Sequence, residues 1–361
     1  MPTLLAPFFL SAFIAVSISP LVILFYRKQG WLDDPKGNKH PKVVHTYPVP
    51  RGGGVVIFLV LLAGVSVFLG WDKHSVGIVI GALIISVAGV LDDIFDLSPY
   101  LRLFIGLSAA LAVVASGIGI AFITNPIGVG VWRLDQWQIP LYLFGSLHTI
   151  WVWSDIFALI WIVWCMNMLN WSKGVDGQLP GVVVVAALVV AILSMRFTED
   201  VTQWSVVMLA VITAGAYFGF LPWNFYPQKI MPGYGGGALS GYLLAVLSIL
   251  SGAKLATLVL VLGIPMIDAV YVIINRLRNH RSPVWGDRGH FHHKLMDLKW
   301  GKRRIAVFYW LITICLGIVA LQLNARQKTF TIVLISLLFG GVLLWVNSFI
   351  TSSKQSDRDN G

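Results

Sequence analysis

The chain has 361 residues, 57% of them hydrophobic and 12% charged, with a formal net charge of +10 and a mean hydropathy of +0.80. That balance excludes a soluble globule, a disordered chain and a small disulfide scaffold. The two cysteines, Cys165 and Cys315, both lie inside apolar runs and read as small core residues, not as a disulfide or a metal pair.

Taken in order, the apolar runs predict an all-α polytopic membrane protein of about 11 transmembrane helices, at roughly 20 residues per crossing. The runs cover 3–26, 55–71, 75–91, 103–123, 148–168, 180–195, 204–221, 237–250, 253–274, 305–323 and 328–350. The first lacks a basic start and is long enough to span, so it reads as a membrane segment and not a cleaved leader. Placing the N-terminus outside puts 27–54, 92–102, 169–179, 222–236, 275–304 and the tail from 351 at the cytoplasmic face. Those segments hold 20 of the 26 Lys and Arg residues, which fits the positive-inside rule with the C-terminus cytoplasmic. Residues 1–350 then form a single polytopic domain, and the polar stretch 351–361 is expected to be disordered. The Trp-rich segment 131–153 reads as an interfacial aromatic belt or a short hairpin.

Four polar constellations share the expected cytoplasmic face. Asp92, Asp93 and Asp96 follow directly on an apolar run, where carboxylates are costly unless paired, wetted or used. Asn167, Asn170, Lys173 and Asp176 leave an apolar helix at spacings that suit a phosphate, a metal or one another; a plain Lys173–Asp176 pair is the bland alternative. Gly233 to Gly237 lead into a helix start whose backbone N–H groups suit a phosphate, although no Walker pattern follows. Arg288, His290, His292, His293 and Lys294 suit a pyrophosphate, with zinc as the competitor. Asp268 sits within an expected span, as a structural partner or a site residue.

The order of motifs resembles the polytopic polyprenyl-phosphate N-acetylhexosamine-1-phosphate transferases. The resemblance covers roughly residues 20 to 305. It rests on Asp34-Pro35; His45 followed by Pro50-Arg51-Gly52-Gly53-Gly54; Leu91-Asp92-Asp93-Ile94-Phe95-Asp96-Leu97; Asn167-Met168-Leu169-Asn170 with Gly174-Val175-Asp176-Gly177; Asn224-Phe225-Tyr226-Pro227 with Lys229-Ile230; Ile264-Pro265-Met266-Ile267-Asp268; and Asp287-Arg288-Gly289-His290-Phe291-His292-His293. The His-x-His-His form resembles the N-acetylglucosamine-1-phosphate branch more than the muramoyl-pentapeptide branch.

The resemblance implies an enzyme of a bacterial-type cytoplasmic membrane. A UDP-sugar meets a polyprenyl phosphate held in the bilayer, and the lipid phosphate attacks the sugar-proximal phosphorus, releasing UMP. It implies Mg²⁺ as the cofactor that neutralises the pyrophosphate, a homodimer as a candidate assembly, and no nucleic-acid partner. Carried over by motif, Asp92, Asp93 and Asp176 are the catalytic candidates. His45, Asn167, Asn170, Lys173, Arg288, His290, His292 and His293 are the substrate-binding ones, and Asn170 and Asp176 the metal ligands.

Two positions depart from the family pattern. Lys173 stands where the family's loop has the first Asp of Asp-Gly-x-Asp-Gly, and Tyr234 stands at the aspartate of its Met-Gly-Asp motif. Together they change the local charge by about +3 with Lys ionised. Three readings follow: an active transferase in which Lys173 takes the place of a metal cation; a catalytically silent relative that binds lipid phosphate or nucleotide sugar; and a transporter with a chance likeness.

Overall fold

The computed structural model describes residues 2–37, 44–125, 130–143, 146–197, 200, 202–252, 254–283 and 288–359; Asp287 of the histidine loop lies outside them. The chain begins with α1 (Pro2–Gln29), then a short ladder of β1 (Leu32–Asp33) on β2 (Val49–Pro50). Next come α2 (Gly53–Gly64), which widens into a π-turn over Val65–Leu69, α3 (Lys73–Phe95) and α4 (Pro99–Ala115). Two hairpins follow, β3 (Phe122–Thr124) with β4 (Val131–Arg133) and β5 (Gln138–Leu143) with β6 (Ser146–Trp151). The remaining helices are α5 (Val152–Trp171), α6 (Gln178–Ser194), α7 (Thr202–Asn224), α8 (Gly233–Leu250), α9 (Leu255–Val261), α10 (Gly263–Arg278), α11 (Phe291–Asp297), α12 (Lys302–Gln322) and α13 (Ala325–Asp359).

Every one of the expected apolar runs carries a helix. Among the described residues, eight helices are long and apolar enough to cross a membrane, and the α9–α10 pair is a ninth if counted as one. Two shorter apolar helices, Gly53–Leu69 and Pro99–Ala115, complete the set. The molecule is a helical polytopic membrane protein. Large apolar side chains such as Phe9, Phe13, Leu21, Phe104, Leu311, Leu337 and Trp345 point outward from it, as a lipid-facing surface requires.

Local chemistry sets the boundaries that matter. Asp72 caps α3 reciprocally with Ser75, each side chain accepting from the other's backbone N–H at 2.7 and 2.8 Å. At the other end, Asp96 turns left-handed at φ 46°, and Ser98 then caps α4 with Pro99 in its first turn. The acidic pair therefore sits in the last turn of α3.

Two expectations need correction. The expected ninth span is broken: α9 and α10 meet at 83°. Gly263 and Pro265 lie at the bend, and proline lacks the N–H that a continuous helix would use. Asp268 thus rides on α10 beyond the bend and not inside a straight span. The Trp-rich segment is built of hairpins, one of its two expected readings, and α5 starts at Val152 instead of 148. The backbone of 351–359 continues α13.

The bundle is organised around α8, in which every residue from Gly233 to Ile249 is buried. Its start touches α2 and α3 backbone to backbone. A Cβ added at Gly54 would lie 2.8 Å from the Gly235 Cα, and one at Gly89 would lie 2.7 Å from the same atom. Small residues at such crossings supply the packing that holds membrane helices together where hydrophobic drive is weak. Gly54→Ala is therefore expected to cost about 1–3 kcal/mol through overpacking. Gly341→Ala on α13, with nothing within 4 Å, is expected to be neutral. Thermal unfolding midpoints of the two variants in detergent check the pair.

Candidate active site

The site is built where the last turn of α3, the start of α8, the loop after α5 and the segment before α2 converge. Asp92 and Arg102, on α3 and α4, form a buried ion pair at 2.5 Å, made by charge more than by hydrogen-bond geometry. Arg102 also bonds Asp96 at 2.9 Å. The Tyr26 hydroxyl donates to Asp93 Oδ2 at 3.2 Å, and Arg51 and Lys173 are its cationic neighbours. Asp93 Oδ1 is buried without a hydrogen-bond partner. Such a buried acceptor carries a desolvation cost until something donates to it.

Lys173 reaches across to α8, its Nζ donating to the Gly233 carbonyl at 2.5 Å. The side chains of Asn170 and Lys173 pack where Gly237 has no Cβ, and Asn170 Oδ1 is likewise buried without a hydrogen-bond partner. Arg51 bonds Asp33 with Nε at 3.1 Å and a terminal nitrogen at 2.8 Å. Burial opposes its charge, but Asp33 and the acidic pair hold the guanidinium above its ordinary value. His45 is buried against the same corner, its Nε2 3.1 Å from the Asp33 carbonyl.

The histidines form a second cluster that joins the first through the 170–177 loop. Asp268 clamps His290 Nδ1 at 2.8 Å and accepts the Phe291 N–H at 2.8 Å. The His290 and His292 rings stack 4° from parallel with centroids 5.7 Å apart, and His293 lies 4.3 Å from His292. His292 packs so close to the loop that a Cβ on Gly174 would lie 1.9 Å from its Nε2. Only glycine admits that approach, one residue from Lys173. Arg276 caps the Trp171 ring at 5.8 Å, and Trp171 faces His290 at 6.3 Å. Arg288 is ion-paired with Asp297 at 3.2 Å at the rim.

Two expected site residues turn elsewhere. Asp176 is buried in an ion pair with Lys302 at 3.1 Å, and its second oxygen accepts the Gln228 N–H at 3.4 Å. It staples the loop to α12 and to the 225–230 turn. Asn167 donates to the Val163 carbonyl of its own helix at 2.8 Å. Arg102, Tyr26 and Lys302 were not singled out from the sequence, and Arg51 only as part of a motif. For Arg102 a signal existed, a cation six residues after Asp96.

An Mg²⁺ ion does not fit the residues present. No group of three or more His, Cys, Asp or Glu among the described residues is placed to hold a metal. The two adjacent carboxylates already face three cations, Arg51, Arg102 and Lys173. At the position of the family aspartate, the Tyr234 hydroxyl donates to the Arg102 carbonyl at 2.9 Å, and the guanidinium lies 5.7 Å from its ring. Asn170 and Asp176, the expected metal ligands, point into different neighbourhoods. What the cluster can do is hold an anion beside the Lys173 ammonium: a glycine-lined helix start and two open acceptor oxygens suit a phosphate ester with hydroxyl groups.

His292 gives a pH test. Burial first, then His293, His290 and Arg288, hold its pKa well below 6.5. As pH falls the unfolded chain takes up the proton before the folded one. The stability contributed by neutral His292 is thus complete above 6.5 and is lost below it, at up to about 1.4 kcal/mol per pH unit. The unfolding midpoint should fall as pH drops below 6.5, and the fall should be shallower in His292→Gln.

Comparison with known proteins places this geometry. The family model described as glycosyl transferase family 4 matches residues 75–252. The chain is 28% identical over 338 residues to the probable undecaprenyl-phosphate N-acetylglucosaminyl 1-phosphate transferase of Bacillus subtilis, covering 92% of this chain and 88% of that one. It is 27% identical over 311 residues to the undecaprenyl-phosphate alpha-N-acetylglucosaminyl 1-phosphate transferase of Thermotoga maritima, covering 85% and 88%. It is 25% identical over 331 residues to the phospho-N-acetylmuramoyl-pentapeptide-transferase of Enterococcus hirae, covering 86% and 97%. The helical bundle, the motif order and these relatives agree: the chain is similar to glycosyl transferase family 4 over residues 75–252 and to polyprenyl-phosphate transferases over most of its length.

Proposed function

We propose that the protein transfers N-acetylglucosamine-1-phosphate from a UDP-sugar to a polyprenyl phosphate at the cytoplasmic face of a bacterial inner membrane. The observation that carries this reading is the convergence of Lys173, Arg51 and the glycine-lined start of α8 on one buried carboxylate pair. The choice of sugar rests on the His-x-His-His form and on the names of the Bacillus and Thermotoga relatives.

An oxygen of the lipid phosphate attacks the sugar-proximal phosphorus. The new P–O bond forms as the bond to the UMP phosphate breaks, and UMP leaves with that oxygen. A phosphate monoester is largely ionised near neutral pH, its second pKa being about 6, so a base is needed only for the residual proton. Asp93 Oδ1 is the acceptor for that proton or for a substrate hydroxyl, while Arg102 holds Asp92 in place. Lys173 and the α8 N–H groups face the charge that builds on the transferring phosphate, and orientation with charge stabilisation carries most of the rate. The His290–His292–His293 stack, fixed by Asp268, and Arg288 at its rim receive the nucleotide end.

Here Lys173 supplies the positive charge that a divalent ion supplies elsewhere. Label from UDP-N-acetylglucosamine should enter polyprenyl phosphate with purified protein in detergent, and EDTA should leave the rate unchanged. Lys173→Met should lose about 10²–10³-fold in kcat, as removal of one charge-stabilising donor does, and Lys173→Asp should not recover it without added Mg²⁺. Strict dependence on Mg²⁺ in the wild type would contradict the role of Lys173. No transfer, with polyprenyl phosphate still bound, would favour a silent binding protein.

A further inference from the structure

Helices α6 and α8 both start beside the site and run away from it for 17 and 18 residues, roughly 26 Å at 1.5 Å per residue. At their far ends three cations gather from separate parts of the chain. Arg196 follows α6, Lys254 precedes α9, and Lys328 lies in the first turns of α13. Lys328 is 9% exposed, with Nζ donating to Thr257 Oγ1 at 2.8 Å. Arg196 donates to the Leu321 carbonyl at 2.6 Å. The Lys254 ammonium sits 3.3 Å from the centroid of the Phe197 ring.

All three partners are neutral. Among the described residues no carboxylate is ion-paired with any of these cations, and Asp200, close by in sequence, caps α7 through Thr202 instead. The cations also oppose one another: burial first, and then Lys328, pull the Lys254 ammonium down to about 8. Gathering like charges at a half-buried site is unfavourable unless an anion completes it.

We infer that Arg196, Lys254 and Lys328 form a second anion site, at the end of the bundle remote from the acidic pair, that takes a phosphate group. One guanidinium and two ammonium groups match a tetrahedral oxyanion. Phe197, under the Lys254 ammonium, stands exposed beside them, which is the setting of an anionic lipid headgroup at an interface. The inference does not depend on the catalytic reading.

The full-length protein in a neutral detergent provides the test. Phosphatidylglycerol, phosphatidylcholine and inorganic phosphate are added separately, and the thermal unfolding midpoint is read. Phosphatidylglycerol should raise it and phosphatidylcholine should not. An equal rise with inorganic phosphate would make a free anion the ligand; a rise with the lipid alone would make it a headgroup. The rise should persist in Lys173→Met, which leaves this end untouched, and vanish in the Arg196→Gln, Lys254→Gln double variant. A rise that survives in the double variant, or none with either phosphate compound in the wild type, overturns the site. Should the double variant fold poorly, Lys254→Gln alone, at the edge of the cluster, must still weaken lipid retention in native mass spectrometry.

Discussion

Two adjacent carboxylates held away from water at the end of a helix are the constraint around which this molecule is arranged. Asp92 and Asp93 cannot both stay ionised there without cations close at hand. The chain supplies them from three directions: Arg102 from α4, Arg51 from the strand before α2, and Lys173 from the loop after α5. Each demands that its element pack at a particular place. The turn through Asp96, Ser98 and Pro99 brings α4 back against α3, and the Gly54, Gly89 and Gly235 contact lets α8 start within reach of Lys173. Packing and electrostatics are therefore one problem here.

The same arrangement decides what the site can accept. A carboxylate pair in water or against one cation would attract a divalent ion. Against three fixed cations it becomes a scaffold that holds positive charge in position for an incoming anion. Lys173 and Tyr234 act in the same sense. The first puts an ammonium on the carbonyl of Gly233; the second spends its hydroxyl on Arg102 and places a ring where a ligand oxygen would be needed. Gly174 links this centre to the histidines, because its missing side chain lets His292 sit against the loop that carries Lys173.

Much of this was legible in the sequence because membrane helices announce themselves by apolar length. The placing of the acidic pair at a helix end could be read the same way. The bend between α9 and α10 could not: Gly263 and Pro265 interrupt a run that stays apolar on both sides, and proline near a helix start is as common as proline at a break. The β5–β6 hairpin was one of two readings of a Trp-rich stretch. The ion pair of Asp176 could not be read for a different reason. Its partner Lys302 is 126 residues away, and no local pattern reveals so distant an ion pair. Lys173 stood out beside Asn170 and Asp176 in its loop; its reach to Gly233 is a property of the packed bundle.

The central claim is that a protein cation occupies the place of a metal beside Asp93. Mn²⁺, a paramagnetic stand-in for Mg²⁺, tests it most directly by electron paramagnetic resonance on the protein without nucleotide. The account predicts that the wild-type protein leaves the free Mn²⁺ signal undiminished, and that Lys173→Asp combined with Tyr234→Asp depletes it by creating an oxygen-ligand site. Stoichiometric Mn²⁺ binding by the wild type, lost in Asp93→Asn, would contradict it.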